Sequence, residues 1–113
     1  MNRSEGFSRH KKEAKILDDL NSFLRFYVND PRLRFVSITR VDLNKDQSMA
    51  KVYWDTFDSE KSGEARKAMG GASGKLRTLL AKAMGSKTVP DLRVERDGQF
   101  TEEKRITELL CET

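Results

Sequence analysis

Apolar residues at Ile16, Leu17, Leu20, Phe23, Leu24 and Tyr27 recur at i, i+1, i+4, i+7, i+8 and i+11, the spacing of one helical stripe. The stripe predicts a helix from about His10 to Asn29-Asp30. Pro31 stops it there, because proline disfavours helical geometry in the residue before it and has no N–H for the next backbone bond. Residues 1–9 carry no such period and read as a loose, flexible basic arm.

Phe35 to Leu43 is rich in β-branched residues, and Met49 to Trp54 is strand-like again after the polar turn Asn44-Lys45-Asp46-Gln47. Two such runs with a short polar connection predict an antiparallel hairpin. Val36 and Ile38 lie on one face of the first strand, whereas Val41 and Leu43 lie on the other. Either a bulge near Arg40 changes the parity, or both faces are partly covered.

Ser59 or Ser62 is placed to cap a second helix, in which Ala65, Ala68, Met69 and Ala72 fall at i, i+3, i+4 and i+7. The run Gly70-Gly71-Ala72-Ser73-Gly74 is expected to interrupt it, since each glycine costs roughly 1 kcal/mol relative to alanine in a helix interior. Leu76, Leu79, Leu80, Ala83 and Met84 resume the stripe, which reads as two helices meeting at a kink, the second ended by Gly85. Val89 to Arg96 reads as a short strand with Pro90 at its start or on an edge. After a turn at Asp97-Gly98, a last helix capped by Thr101 would turn Ile106, Leu109 and Leu110 inward. The expected order is helix, strand, strand, helix, kink, helix, strand, helix: a single α+β domain over residues 1–113, with a three-stranded sheet packed against helices.

Charged residues make up 35% of the chain against 36% hydrophobic, so one core is affordable and the exterior must be heavily charged. The net charge of +4 is unevenly placed. Between Lys61 and Lys87 seven lysines and arginines meet one acid, Glu64, whereas the residues from Thr101 onward lean acidic. A chain polarised in this way can present one face to a polyanion. If about six of the cations neutralise phosphates, the logarithm of the affinity should fall with log salt at a slope of roughly −4 to −5. With one cysteine, Cys111, an intramolecular disulfide is excluded, and no apolar run reaches the length of a signal or membrane span. A soluble, reducing, cytoplasmic setting without membrane contact is expected.

The glycine run superficially suggests a nucleotide-binding P-loop, but five residues before Gly74 stands Met69, and Leu76 rather than Ser or Thr follows Lys75. Gly71-Ala72-Ser73-Gly74 fits better the Gly-x-x-Gly element of KH domains, where glycines admit a nucleic-acid backbone and the next helix offers its N-terminal amides. Catalytic chemistry finds little support. His10 and Cys111 are the only residues of their kinds and stand at opposite ends of the chain. Asp18 and Asp19 are adjacent on a helix and diverge by about 100°. Turn chemistry accounts for Asp42 and Asp46, and Trp54 reads as core. No cofactor and no enzymatic activity are expected.

Taken together in order, several runs resemble the ribosome-binding factor A family. They are Asp30-Pro31-Arg32-Leu33, Val36-Ser37-Ile38-Thr39 through Val41, Asp46, Ala50-Lys51-Val52-Tyr53, Ala72-Ser73-Gly74 with Leu79-Leu80, Val89-Pro90-Asp91-Leu92 with Asp97, and Ile106, Leu109 and Leu110. The likeness covers about Arg9 to Leu110. It implies a type II KH-like fold that associates with the free small (30S) ribosomal subunit, assists late 16S rRNA processing and maturation, matters most in the cold, and is not an enzyme. Small-subunit proteins would be further partners, with the free chain a monomer. In that family an Ala-x-Gly kink stands where KH domains have Gly-x-x-Gly. Ala72, Ser73 and Gly74 match it, while Gly71 also restores the four-residue spacing, leaving a KH-type loop and a tight kink both open. Arg93, Glu95 and Arg96 depart from the more apolar third strand of the family. The expected RNA-binding set is Arg9, Lys11 and Lys12 on the first helix, then Lys67, Gly71, Ala72, Ser73, Gly74, Lys75, Arg77, Thr78, Lys82 and Lys87. The rival expectation is a protein-interaction adaptor that uses its sheet or last helix without touching RNA.

Overall fold

In the computed structural model, which describes residues 3–57, 59–85 and 89–97, the first apolar stripe forms helix α1, Arg3–Phe26. A 3-10 turn, Pro31–Leu33, leads into strand β1, Val36–Leu43, and then strand β2, Met49–Thr56. A second 3-10 turn at Ser59–Lys61 precedes helix α2, Ser62–Met84, and strand β3, Asp91–Arg96, follows. The sheet order is β1-β2-β3, with β1 antiparallel and β3 parallel to the central β2. A parallel pair needs a long crossover, and α2 supplies it. This α+β arrangement agrees with a type II KH-like fold.

The parity break in β1 is a bulge. The register runs Ile38 to Trp54 and then Arg40 to Tyr53, leaving Thr39 as the extra residue. Val36, Ile38, Val41 and Leu43 thereby all join Ala50, Val52 and Trp54 in the buried core. Leu92 and Val94 continue that layer beside Ala50 and Val52. From the helices Ile16, Leu20, Phe23, Leu24, Ala65, Ala68, Met69, Leu76 and Leu80 close over it.

Side chains of α1 also cover the outer edge of β1, whose backbone would otherwise be open to another strand. Asn21 accepts from Ile38 N–H at 2.8 Å and donates to Ile38 C=O at 3.1 Å, while Glu13 accepts from Leu43 N–H at 2.7 Å. Both bonds at Ile38 sit beside the bulge, where ladder pairing is interrupted.

Three expectations are corrected. Helix α1 begins at Arg3, so residues 3–9 of the expected arm are helical. Apolar periodicity marks only where a helix has something to pack on, and α1 extends past that point. It also ends at Phe26, a few residues before Pro31. The second correction is larger: α2 runs through Gly70–Gly74 as one continuous helix with no positive-φ glycine inside it, so the expected kink and second helix start are absent. Ala65, Ala68, Met69, Ala72, Leu76 and Leu80 stay in one helical phase across the run, and burying that unbroken stripe outweighs the propensity cost of three glycines. Third, neither serine caps α2: Lys61 is the N-cap and makes no side-chain capping bond. The C-cap is Gly85 in the left-handed region, φ 57°, with its N–H bonded to Ala81 C=O at 3.1 Å. The expected last helix, with Thr101, Ile106, Leu109, Leu110 and Cys111, lies outside the described residues, as does Lys87.

Candidate nucleic-acid interface

Because the core stripe of α2 fixes its rotation, the outward positions are set. At about 100° per residue, Lys67, Gly71, Lys75, Thr78 and Lys82 fall in one stripe about 80° wide. All five are exposed. Gly74 adjoins the stripe on the outermost line of the helix. Arg66, Gly70 and Arg77 lie on the other flank, about 200° from Lys75 in the case of Arg77.

Arg77 is engaged there. Its Nε lies 3.3 Å from Asp91 Oδ1, and its Nη2 donates to Val89 C=O at 3.3 Å, tying α2 to the start of β3. By contrast, Lys67, Lys75 and Lys82 make no ion pair among the described residues. The thirteen expected residues therefore do not form one face. Ala72 packs against the core, Ser73 and Arg77 belong to the β3 flank, and the three free lysines form a ridge with Gly71, Gly74 and Thr78.

Among the described residues nothing packs against these glycines. A Cβ added at Gly70, Gly71 or Gly74 would meet nothing within 4 Å. Two hydroxyls fold back on this segment instead, Ser73 Oγ donating to Gly70 C=O at 2.9 Å and Thr78 Oγ1 to Gly74 C=O at 3.0 Å. The result is a helix surface with almost no side chain between flanking lysines, which lets another backbone come close.

The basic start of α1 lies at the hairpin-turn end of the molecule. Lys12 Nζ donates to Gln47 Oε1 at 2.8 Å, Lys11 is exposed and Arg9 half-buried. The C-terminal end of α2 reaches the same end, since Asp91, the partner of Arg77, donates its N–H to Ser48 C=O at 2.9 Å. Lys82 and the α1 cations thus share one pole, and the ridge leads from it toward Lys67.

Among the residues weighed for catalysis, Trp54, Asp46 and Asp42 have structural roles. Trp54 is 1% exposed, at the centre of the core. Asp46 accepts from Ser48 N–H at 3.0 Å and Ser48 Oγ at 2.6 Å inside the turn, and the hydroxyl bond is the chief cause holding its carboxyl below the usual range. Asp42 sits on β1, 3.4 Å from Arg40, rather than in the turn. Among the described residues no three His, Cys, Asp or Glu side chains gather where a metal ion could be held. No described helix is long and apolar enough to cross a membrane.

The family model for ribosome-binding factor A matches residues 8–110. A ribosome-binding factor A from Lactobacillus acidophilus is 35% identical over 102 residues, covering 88% of this chain and 84% of that protein. The chain belongs to the ribosome-binding factor A family. Its structure resembles the solution structure of a Thermotoga maritima protein described as a putative ribosome binding factor A, with TM-score 0.71, 31% identity, and coverage of 84% of this chain and 90% of that one. A Thermus thermophilus ribosome-binding factor A homology model, fitted into a cryo-EM map of a 30S complex, is similar at TM-score 0.63 and 26% identity, covering 75% and 90%. Sequence reasoning singled out the family kink but missed Arg25 and Arg34, which face a cleft on the opposite pole from the hairpin turn. Their flanking of the Asp30-Pro31 helix stop was the available signal.

Proposed function

We propose that this chain binds the free small ribosomal subunit in the cytoplasm, as a monomer and without catalysing a bond change, and assists late 16S rRNA processing and maturation, above all in the cold. Family membership together with the 30S complex of the Thermus relative carries the subunit assignment. The ridge of Lys67, Lys75 and Lys82 supports rRNA as the direct partner, with Arg9, Lys11 and Lys12 extending the contact along the molecule. Small-subunit proteins would border it. Low temperature strengthens wrong RNA pairings, and a factor that binds one rRNA arrangement more tightly shifts the population toward it by its differential affinity alone.

Co-sedimentation with purified small subunits over a salt series tests the reading. The expected result is binding whose log affinity falls with log salt at a slope of roughly −4 to −5. Binding insensitive to salt, or none, would refute it in favour of a protein-interaction adaptor.

The glycines allow a sharper test. Gly71→Ala with Gly74→Ala should raise stability toward urea by about 1–2 kcal/mol, because both sites are open and helical. The same pair should weaken subunit binding, because the added methyls stand where the RNA backbone approaches. A rise in stability with unchanged binding would remove these glycines from the interface.

A further inference from the structure

At the pole opposite the hairpin turn, the end of α1, the Pro31–Leu33 turn and the start of β1 enclose a cleft of about 480 Å³. Arg25, Val28, Asn29, Pro31, Arg34 and Ser37 are among its walls. The volume lies within the roughly 300–1,000 Å³ of small-molecule sites. Asn21 in its wall is committed to Ile38, but the side chains of Arg25, Asn29, Arg34 and Ser37 have no hydrogen bond or ion pair among the described residues. Asp30, the one carboxylate in the wall, is already held by Arg32 through bonds of 3.1 and 2.8 Å. The side-chain hydrogen bond from Arg32 is the chief cause that lowers the carboxyl of Asp30 below its ordinary range. Two guanidiniums therefore face the cleft with no ion-pair partner among the described residues.

Pro31 is shared with a neighbouring recess of about 190 Å³ lined by Arg32, Phe35, Thr56, Lys61 and Glu64. Phe35 stands there 53% exposed, a large apolar ring left in solvent between Arg34 and the buried Val36. Guanidiniums for phosphate, an amide and a hydroxyl for a base edge, and an exposed ring for stacking are the parts that single-stranded RNA sites combine.

We infer that this cleft takes one unpaired nucleotide of the rRNA, its phosphate on Arg25 and Arg34 and the adjacent base on Phe35. The inference rests on the proposed rRNA binding and adds to it a second contact, specific for unpaired strand and separate from the α2 ridge. An acidic peptide would satisfy the arginines but would leave the exposed ring and the amide-hydroxyl wall without a partner, so RNA is the better fit.

The test titrates the whole protein with a seven-nucleotide single-stranded RNA, a base-paired hairpin of equal charge, and free adenosine monophosphate, following backbone amide signals by NMR. The single strand is expected to shift Val28, Asn29, Arg34 and Ser37. Arg25→Ala with Arg34→Ala, both exposed and therefore compatible with the fold, should weaken that binding about tenfold or more. Phe35→Ala should weaken it several-fold. Lys67→Glu, Lys75→Glu and Lys82→Glu should leave the cleft shifts in place while reducing subunit binding. If the cleft amides stay silent while wild-type protein still co-sediments with subunits in a salt-dependent way, the nucleotide site is lost and the proposed function stands. Equal response to the hairpin, or micromolar saturation by the free mononucleotide, would overturn the inference. So would reduced co-sedimentation of the arginine variant without any oligonucleotide binding, since the cleft would then hold a ribosomal protein. Failure of wild-type protein to bind subunits at all would bring down the broader reading instead.

Discussion

Reversing the three ridge lysines together, Lys67→Glu, Lys75→Glu and Lys82→Glu, is expected to lower affinity for the small subunit roughly a hundredfold to a thousandfold at physiological salt. The log–log salt slope should also become shallower by about 2–3, because each lost phosphate contact removes nearly one unit. All three side chains are exposed and unpaired among the described residues, so the fold should persist, which far-UV circular dichroism checks. The control carries the same change in net charge: Arg66→Glu, Arg77→Glu and Arg93→Glu, on the β3 flank of α2 and on the face of the sheet opposite Leu92 and Val94. Arg77 is committed to Asp91 and the Val89 carbonyl, so this variant should lose some stability but less than about tenfold in affinity. Equal losses in the two variants would mean that net charge alone attracts the subunit, and the ridge would have no special part.

The division of the basic residues into ridge and flank was latent in the sequence. Lys67, Gly71, Lys75, Thr78 and Lys82 follow one another at intervals of four, four, three and four, and they share a face if only the helix is continuous. Three glycines within five residues argued against continuity on propensity, whereas the unbroken phase of Ala65, Ala68, Met69, Ala72, Leu76 and Leu80 argued for it. Burial of that stripe decided the outcome. The bulge at Thr39 was legible as one of two options, because only an inserted residue brings Val36, Ile38, Val41 and Leu43 to one face. Strands β2 and β3 were both found, but their parallel pairing was not, since pairing direction depends on where α2 delivers the chain. The Asn21 and Glu13 bonds to β1 were out of reach, and for the Arg25–Arg34 cleft the sequence offered only the two arginines flanking the Asp30-Pro31 helix stop, not their meeting around a cavity. Each joins residues from separate elements, and single-element periodicity carries no information on such meetings.

Trp54→Ala is expected to produce the largest loss of stability of any single substitution in the sheet, about 3–5 kcal/mol. The indole is 1% exposed on the central strand, in register with Ile38 on one side and Arg96 on the other, within the cluster that includes Met69, Leu76 and Leu80 of α2. Its removal leaves a cavity that these neighbours cannot collapse into without moving α2, and α2 carries the ridge. Small domains have only about 5–15 kcal/mol in hand, so the variant should sit near its folding threshold at 37 °C. Trp54→Phe keeps most of the buried ring and should cost well under half as much. Trp54 is the only tryptophan, so urea melts must be followed by circular dichroism rather than by fluorescence. Subunit binding gives the second readout. At low temperature, where the alanine variant is still mostly folded, it should bind within about threefold of wild type and lose binding on warming in step with unfolding. A variant that is folded in the cold yet fails to bind would mean that Trp54 holds the ridge in position as well as holding the domain together.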